Sequence, residues 1–169
     1  MKEIEKLKKT AILIWLSIFI FSVLADQISK YWARHNLPFD ESLIFVKHIL
    51  NWHLVFNTGA AFSFLSGQVQ VLSLISFVFS IFLLFYSWQI INQDKNLFNT
   101  ISLALISGGA IGNLIDRLYF KQVTDFIDLL ILPGNFPIFN LADSFINIGA
   151  FLFLLNLIIT ERPFDKLQT

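Results

Sequence analysis

The sequence of 169 residues contains no cysteine, which excludes a disulfide framework, a thiol nucleophile and a cysteine-ligated metal site. Charged residues are also scarce: they make up 14% of the chain, against about 25% in an ordinary soluble domain. Basic and acidic side chains balance at 12 each, so the sequence indicates neither a nucleic acid nor a charge-driven partner.

Apolar residues are abundant, at 56% of the chain with a mean hydropathy of +0.68. A chain of this size has too little interior to hide so much apolar surface, so a bilayer is required as the second solvent. Four charge-poor stretches are each close to the roughly 20 residues that a spanning helix needs. The sequence therefore predicts one integral membrane domain over residues 1–169, with four transmembrane helices at about 10–30, 68–91, 96–115 and 142–160.

The first stretch has a second interpretation as a secretory signal peptide, since a lysine-rich start precedes it and Val23-Leu24-Ala25 resembles a cleavage site. Helix-compatible residues continue over 26–34, which favours a retained span. With four spans, seven basic residues lie on the side of the termini and five on the other side. The positive-inside rule then predicts that both termini are cytoplasmic.

Two long loops, at about 31–67 and 116–141, are left on the outer side. Residues 49–57 (ILNWHLVFN) are rich in β-formers and predict short strands in the first loop. Pro133-Gly134-Asn135 indicates a turn in the second loop. The predicted fold is an α-helical membrane protein with a small β-containing outer region.

This topology gathers five carboxylates near the outer membrane surface: Asp26, Asp116, Asp125, Asp128 and Asp143. Lys30, Arg117 and Lys121 share that level and would partly compensate their charge. Ionisable groups at membrane depth are costly and usually have a task. Each acid also has a plain structural interpretation, as the N-cap of helix four (Asp143), as a helix end (Asp26, Asp116) or as a solvated loop residue (Asp125, Asp128).

Two carboxylates held close together cannot both ionise, and such a pair can activate a water and protonate a carbonyl oxygen or a leaving amine. Peptide hydrolysis needs those roles and no metal, so the sequence predicts no metal and no cofactor. Other catalytic arrangements fit less well. Ser29 and Lys30 are adjacent on a helix and diverge, while His48 and His53 match no zinc spacing. Gly108 and Gly112 have the small-xxx-small spacing of closely packed membrane helices.

Five short motifs follow one another along the chain: residues 26–30 (DQISK), 57–63 (NTGAAFS), 108–117 (GGAIGNLIDR), 123–126 (VTDF) and 139–144 (FNLADS). In order and spacing they resemble the lipoprotein signal peptidases, the bacterial type II signal peptidases. The resemblance runs over about residues 11–160 and departs at no motif position.

The resemblance implies an aspartic endopeptidase with Asp125 and Asp143 as the catalytic pair, whereas the residues alone do not separate Asp125 from Asp128. Asn57, Asn113, Arg117 and Asn140 match conserved polar positions around that pair. Asp26 and Lys30 match a motif to which a structural or substrate-positioning role belongs.

The resemblance also implies the substrate and its place. Such an enzyme removes the signal peptide from diacylglyceryl-modified prolipoproteins, just before the lipidated cysteine. It lies in the bacterial inner membrane with its active site near the outer face and contacts membrane lipid. We also expect a monomer that binds no nucleic acid.

Two other functional classes, a transporter and a structural subunit, remain open from the sequence. A small proton- or cation-coupled transporter would use the same acids as a relay, although acids crowded on one face form no path across the membrane. A structural subunit would use them as interfacial anchors. Nine of the twenty phenylalanines fall in the outer loops, which predicts that these loops rest on the membrane and wall an apolar groove around the acids.

Overall fold

The computed structural model describes residues 2–59, 65, 67–93, 96–131 and 136–160. The predicted turn at Pro133-Gly134-Asn135 and most of the GAAFSF run lie outside these residues. The elements follow in the order α1 (Lys2–Asn36), β1 (Ser42–Val46), β2 (Leu50–Asn57), α2 (Val69–Gln93), α3 (Leu97–Phe120), β3 (Val123–Leu129) and α4 (Leu141–Thr160). Four of the described helices are long and apolar enough to cross a membrane, which confirms the predicted fold class.

Helix α1 is longer than its predicted span at both ends. It runs unbroken for 35 residues, because residues 2–36 contain neither glycine nor proline. The first proline, Pro38, comes two residues after the helix ends. Asp26 and Lys30 therefore lie inside the helix. The interpretation of Asp26 as a helix end is wrong.

Helix α3 is the central element and packs against α1, α2 and α4. Glycines at its surface let the neighbours come close: a Cβ on Gly108 would lie 2.6 Å from the Cβ of Ser22 in α1. A Cβ on Gly112 would lie 2.5 Å from the carboxylate of Asp26. Both glycines that the sequence singled out thus lie at the contact between α1 and α3.

The end of α3 differs from the prediction for two residues. The helix continues past Asp116 to Phe120, so Asp116 lies a full turn inside the helix rather than at its end. Lys121 adopts a left-handed conformation (φ 58°) as the C-cap and donates to the carbonyl of Leu118 at 3.0 Å. Lys121 is therefore an exposed capping residue, and the expectation that it compensates the acids is wrong.

The three strands form an antiparallel sheet in the order β1-β2-β3. Strand β2 covers the stretch of β-formers that predicted it, whereas β3 falls in the second outer loop, where no strand was predicted. Two aspartates interrupt the apolar pattern of β3 (VTDFIDL), so its strand character depends on pairing with β2. Leu54 of β2 and Phe126 of β3 pack on Ala33 of α1, which fixes the sheet against the outer part of the helix bundle.

Candidate active site

Asp125 is held in the middle of the buried part of β3 and is 3% exposed. Its two carboxylate oxygens accept hydrogen bonds from different amides. Asn57 Nδ2, from the end of β2, donates to Oδ2 at 3.1 Å, and Asn140 Nδ2 donates to Oδ1 at 2.6 Å. Strand pairing sets the first of these contacts, because Val55 is the register partner of Asp125 and Asn57 follows two residues later on the same face.

Asp143 lies in the first turn of α4 and is half-buried. Asn140 precedes that helix, and the two residues cap it reciprocally: Asp143 N donates to Asn140 Oδ1 at 3.0 Å, and Asn140 N donates to Asp143 Oδ2 at 3.2 Å. This is the pattern of a capping box. The N-cap is therefore Asn140, and the interpretation of Asp143 as the N-cap is wrong by three positions.

Two asparagines connect the carboxylates. Asn113 Nδ2, from α3, donates to Asp143 Oδ1 at 2.8 Å. Asn140 Nδ2 donates to Asn113 Oδ1 at 3.1 Å as well as to Asp125. The acids of β3 and α4 thus share one hydrogen-bonded cluster, and the partners of each amide determine which way its oxygen points.

The surroundings of Asp125 favour its protonated form. Burial and the neighbouring charge of Asp143 raise the pKa of Asp125 from 3.8 to about 7, although hydrogen bonds from Asn57 and Asn140 and the charge of Lys30 oppose the rise. Asp143 lies in the first turn of α4, at the positive end of the helix dipole. The cluster can therefore retain one proton near neutral pH.

Arg117 supplies a fixed positive charge beside the cluster. Its guanidinium interacts electrostatically with Asp143, Asp125 and Asp116, and its Nη2 donates to the carbonyl of Gly59 at 3.5 Å. The arginine therefore both faces the acids and ties α3 to the chain that follows β2.

A second cluster of charges lies behind the first and is fully buried. Lys30 Nζ lies 2.9 Å from Asp26 Oδ2 and 3.6 Å from Asp116 Oδ2, with all three side chains at 0% exposure. The same Nζ donates to Asn113 Oδ1 at 2.9 Å. Asn113 thus joins the charge cluster of α1 and α3 to Asp143.

The sequence interpretation missed Arg34 and Thr124. Arg34 Nη1 donates to Thr124 Oγ1 at 2.8 Å and lies 3.5 Å from Asp116 Oδ1. The available signal was the spacing of Asp26, Lys30 and Arg34, which places all three on one face of α1.

Asp128 is the one acid of the predicted five that the structure leaves out of these clusters. It lies three residues after Asp125 on the same strand, so its side chain leaves the opposite face of the sheet. Its register partner is Asn51, and it is half-buried.

The histidines take no part in either cluster described above. His53 Nε2 lies 3.3 Å from Asp40 Oδ1 on the exposed side of the sheet. Among the described residues, no group of three or more histidines and acids could hold a metal ion.

Comparison with known proteins gives consistent matches. The family model described as signal peptidase (SPase) II matches residues 18–159. A lipoprotein signal peptidase of Coxiella burnetii (strain Dugway 5J108-111) is 42% identical over 160 residues, covering 92% of this chain and 95% of the relative. One from Acinetobacter baumannii (strain ATCC 17978) is 38% identical over 156 residues, covering 91% and 88%.

Solved structures give the same result. A bacterial membrane enzyme determined by the in meso method at 2.3 Å resolution superposes with a TM-score of 0.79 at 33% identity, covering 95% of this chain and 94% of that one. A second, at 1.9 Å resolution, superposes with a TM-score of 0.75 at 36% identity, covering 89% and 93%.

Proposed function

This chain belongs to the signal peptidase II family, and we infer from that membership that it is a membrane peptidase which removes the signal peptide from prolipoproteins. The observation that carries the chemical part of the proposal is the contact of Asn140 with both Asp125 and Asp143. A transporter, the alternative that the sequence left open, is not supported by the family or by the relatives.

We propose that Asp125 and Asp143 are the catalytic dyad. A pair that holds one proton has a carboxylate to accept a proton and a carboxyl to donate one. The raised pKa of Asp125, about 7, supports retention of that proton under physiological conditions.

The proposed reaction proceeds through two balanced steps. The ionised carboxyl takes a proton from water as the water oxygen attacks the scissile carbonyl carbon, and the protonated carboxyl gives its proton to the carbonyl oxygen. In the second step the C–N bond breaks and the leaving nitrogen takes a proton from the dyad, while a hydroxyl of the intermediate returns one. Asn57, Asn113 and Asn140 hold the two carboxyls in place, and Arg117 supplies fixed positive charge beside them.

The proposed substrate is a prolipoprotein that already carries diacylglycerol on the cysteine after the cleavage site. The lipid keeps that cysteine at the outer surface of the membrane, so the dyad must lie at the same depth. This agrees with a topology in which both termini are cytoplasmic and the sheet and dyad face the outer side of the bacterial inner membrane.

The dyad assignment predicts the outcome of two conservative substitutions. In detergent, with a diacylglyceryl-modified prolipoprotein as substrate, Asp125→Asn and Asp143→Asn should each lower kcat by about 10²–10⁴-fold. Each asparagine keeps the size of the aspartate and removes its ability to carry the shared proton. The measurement is release of the signal peptide, followed on a gel or by mass spectrometry.

Asp128→Asn is the matched control, because it makes the same change on the same strand but on the opposite face. It should keep its activity within about threefold, as expected for a residue outside both charge clusters. Full activity of Asp125→Asn or Asp143→Asn would refute the dyad.

A further inference from the structure

Two buried aspartates outside the proposed dyad each hold the residue that comes immediately before a dyad member. Asp26 Oδ1 accepts the backbone N–H of Ala142 at 2.9 Å, and Ala142 precedes Asp143. Asp116 Oδ2 accepts the backbone N–H of Thr124 at 2.8 Å, and Thr124 precedes Asp125. Each dyad member is thus anchored through its neighbour's amide.

Lys30 joins the two anchors. Its ammonium lies 2.9 Å from Asp26 Oδ2 and 3.6 Å from Asp116 Oδ2. A continuous path therefore runs from Ala142 through Asp26, Lys30 and Asp116 to Thr124, behind the dyad and across the contact between α1 and α3.

From this geometry we propose that Asp26, Lys30 and Asp116 form a rigid brace that sets the spacing of the catalytic carboxyls of Asp125 and Asp143. The proposal rests on the dyad assigned above. All three brace residues are positioning residues: each is 0% exposed, so none of them can touch the substrate.

The surroundings of the brace pack closely against it. A methyl group on Gly112 would lie 2.5 Å from Asp26 Oδ2 and 3.3 Å from the Cβ of Ala142. Lys30 also donates to Asn113 Oδ1, which leaves the Nδ2 of that amide to face Asp143. The brace therefore controls both the backbone beside Asp143 and the direction from which Asp143 is hydrogen-bonded.

A purely stabilising role accounts less well for these residues. Buried ion pairs are weak contributors to stability, and apolar residues of similar volume often serve as well or better. The charged groups instead hold the dyad in position. This matters because a misplacement of about 1 Å in a reacting group can lower a rate by about 100-fold.

The test compares two substitutions at Asp26 that change charge and length separately. Asp26→Asn keeps the length and an acceptor oxygen for Ala142 N but turns an NH₂ donor toward Lys30 Nζ, so it breaks the link to Lys30. Asp26→Glu keeps the charge but lengthens the arm by one methylene. Because each variant breaks one link of the brace, each should lower kcat by about 100-fold, with KM within about threefold.

The same pair of substitutions at Asp116 repeats the test on the other arm, and kcat is measured per folded enzyme after size-exclusion chromatography and thermal unfolding. Folded Asn and Glu variants that keep the kcat of the unmodified enzyme would overturn the brace, because its ion pairs would then serve only stability. Failure of both Asn variants to fold would overturn it too, since the residues would then be scaffold. Asp125→Asn and Asp143→Asn, assayed in parallel, test the dyad separately: full activity in either refutes the dyad, whereas impaired dyad variants beside fully active Asp26 and Asp116 variants refute only the brace.

Discussion

At the residue scale, Asn140 both caps a helix and connects the two proposed catalytic acids. Its backbone N–H and side-chain oxygen cap α4 together with Asp143, while its side-chain Nδ2 reaches Asp125 and Asn113. The first turn of α4 and the contact between the two acids therefore depend on the same residue. Any displacement of the first turn of α4 changes the hydrogen bonding of both carboxyls.

The pKa of Asp125 leads to a prediction about pH. Its value of about 7 means that the dyad loses its remaining proton as the pH rises through neutrality, so kcat/KM should fall on the alkaline side with a midpoint near pH 7. Asn57→Ala removes a donor that favours the carboxylate, so the pKa of Asp125 should rise and the alkaline limb should move to higher pH.

The pH profile of kcat/KM checks this directly. Asn51→Ala is the control, because Asn51 lies on the same strand but opposite Asp128 and hydrogen-bonds Ser42. Its alkaline limb should match that of the unmodified enzyme. A shift of the Asn57→Ala limb to lower pH would contradict the assignment.

For the candidate active site, the sequence indicated the types of residue better than it indicated how they are arranged. The expectation that the acids gather at one membrane face followed from the four predicted spans and the distribution of basic residues. The choice of Asp125 over Asp128 did not, because it depends on which face of β3 each side chain leaves, and β3 becomes a strand only through its pairing with β2. That choice came from the resemblance.

At the scale of elements, the glycines set the distance between helices. A Cβ on Gly149 of α4 would lie 2.7 Å from the carbonyl oxygen of Ser102 in α3, with Ile106 equally close. Asn113 and Asp143 are carried by these same two helices, so their hydrogen bond depends on this close packing.

Gly149→Ala should therefore destabilise the protein by about 1–3 kcal/mol, as expected for added volume at a tightly packed contact. Thermal unfolding in detergent, followed by light scattering or intrinsic fluorescence, measures the effect. Ile148→Ala, next to it but 51% exposed on α4, should unfold nearly as the unmodified protein does. Equal melting temperatures for all three would contradict the role of this contact.

The four helices were predictable from the length of the apolar stretches, but the residues at which the helices end were not. The predicted first span ended near residue 30, where the charges of Lys30 and Arg34 follow the apolar stretch. The structure keeps α1 helical to Asn36 because those charges are satisfied by α3 and β3, at Asp116 and Thr124. Tertiary partners that lie about 80–90 residues away in sequence are not visible in a local pattern.

At the scale of the whole molecule, apolar surface continues from the helices onto the sheet. Strand β1 is exposed along its whole length, with Ile44 at 73% and Phe45 at 61% exposure. In a water-facing sheet an apolar edge of this kind would invite aggregation. We expect it to lie in the membrane interface, which extends to β1 the expectation drawn from the phenylalanines.

The absence of cysteine makes this expectation easy to test. A polarity-sensitive fluorophore on Ile44→Cys should emit at shorter wavelength in liposomes than the same label on Glu41→Cys, an exposed acidic position just before the strand. The label reports an apolar surrounding only where the sheet meets lipid. Identical emission at both sites would place the strand in water.

The unbroken helix α1 also has a consequence for how the protein enters the membrane. Asp26 and Lys30 are one turn apart on the same helix, so α1 can neutralise this pair by itself as it leaves the translocon. Asp116 of α3 has its partners, Lys30 and Arg34, on α1. We therefore expect α3 to enter lipid more favourably once α1 is in place, because the basic partners of its buried acid are carried by that helix.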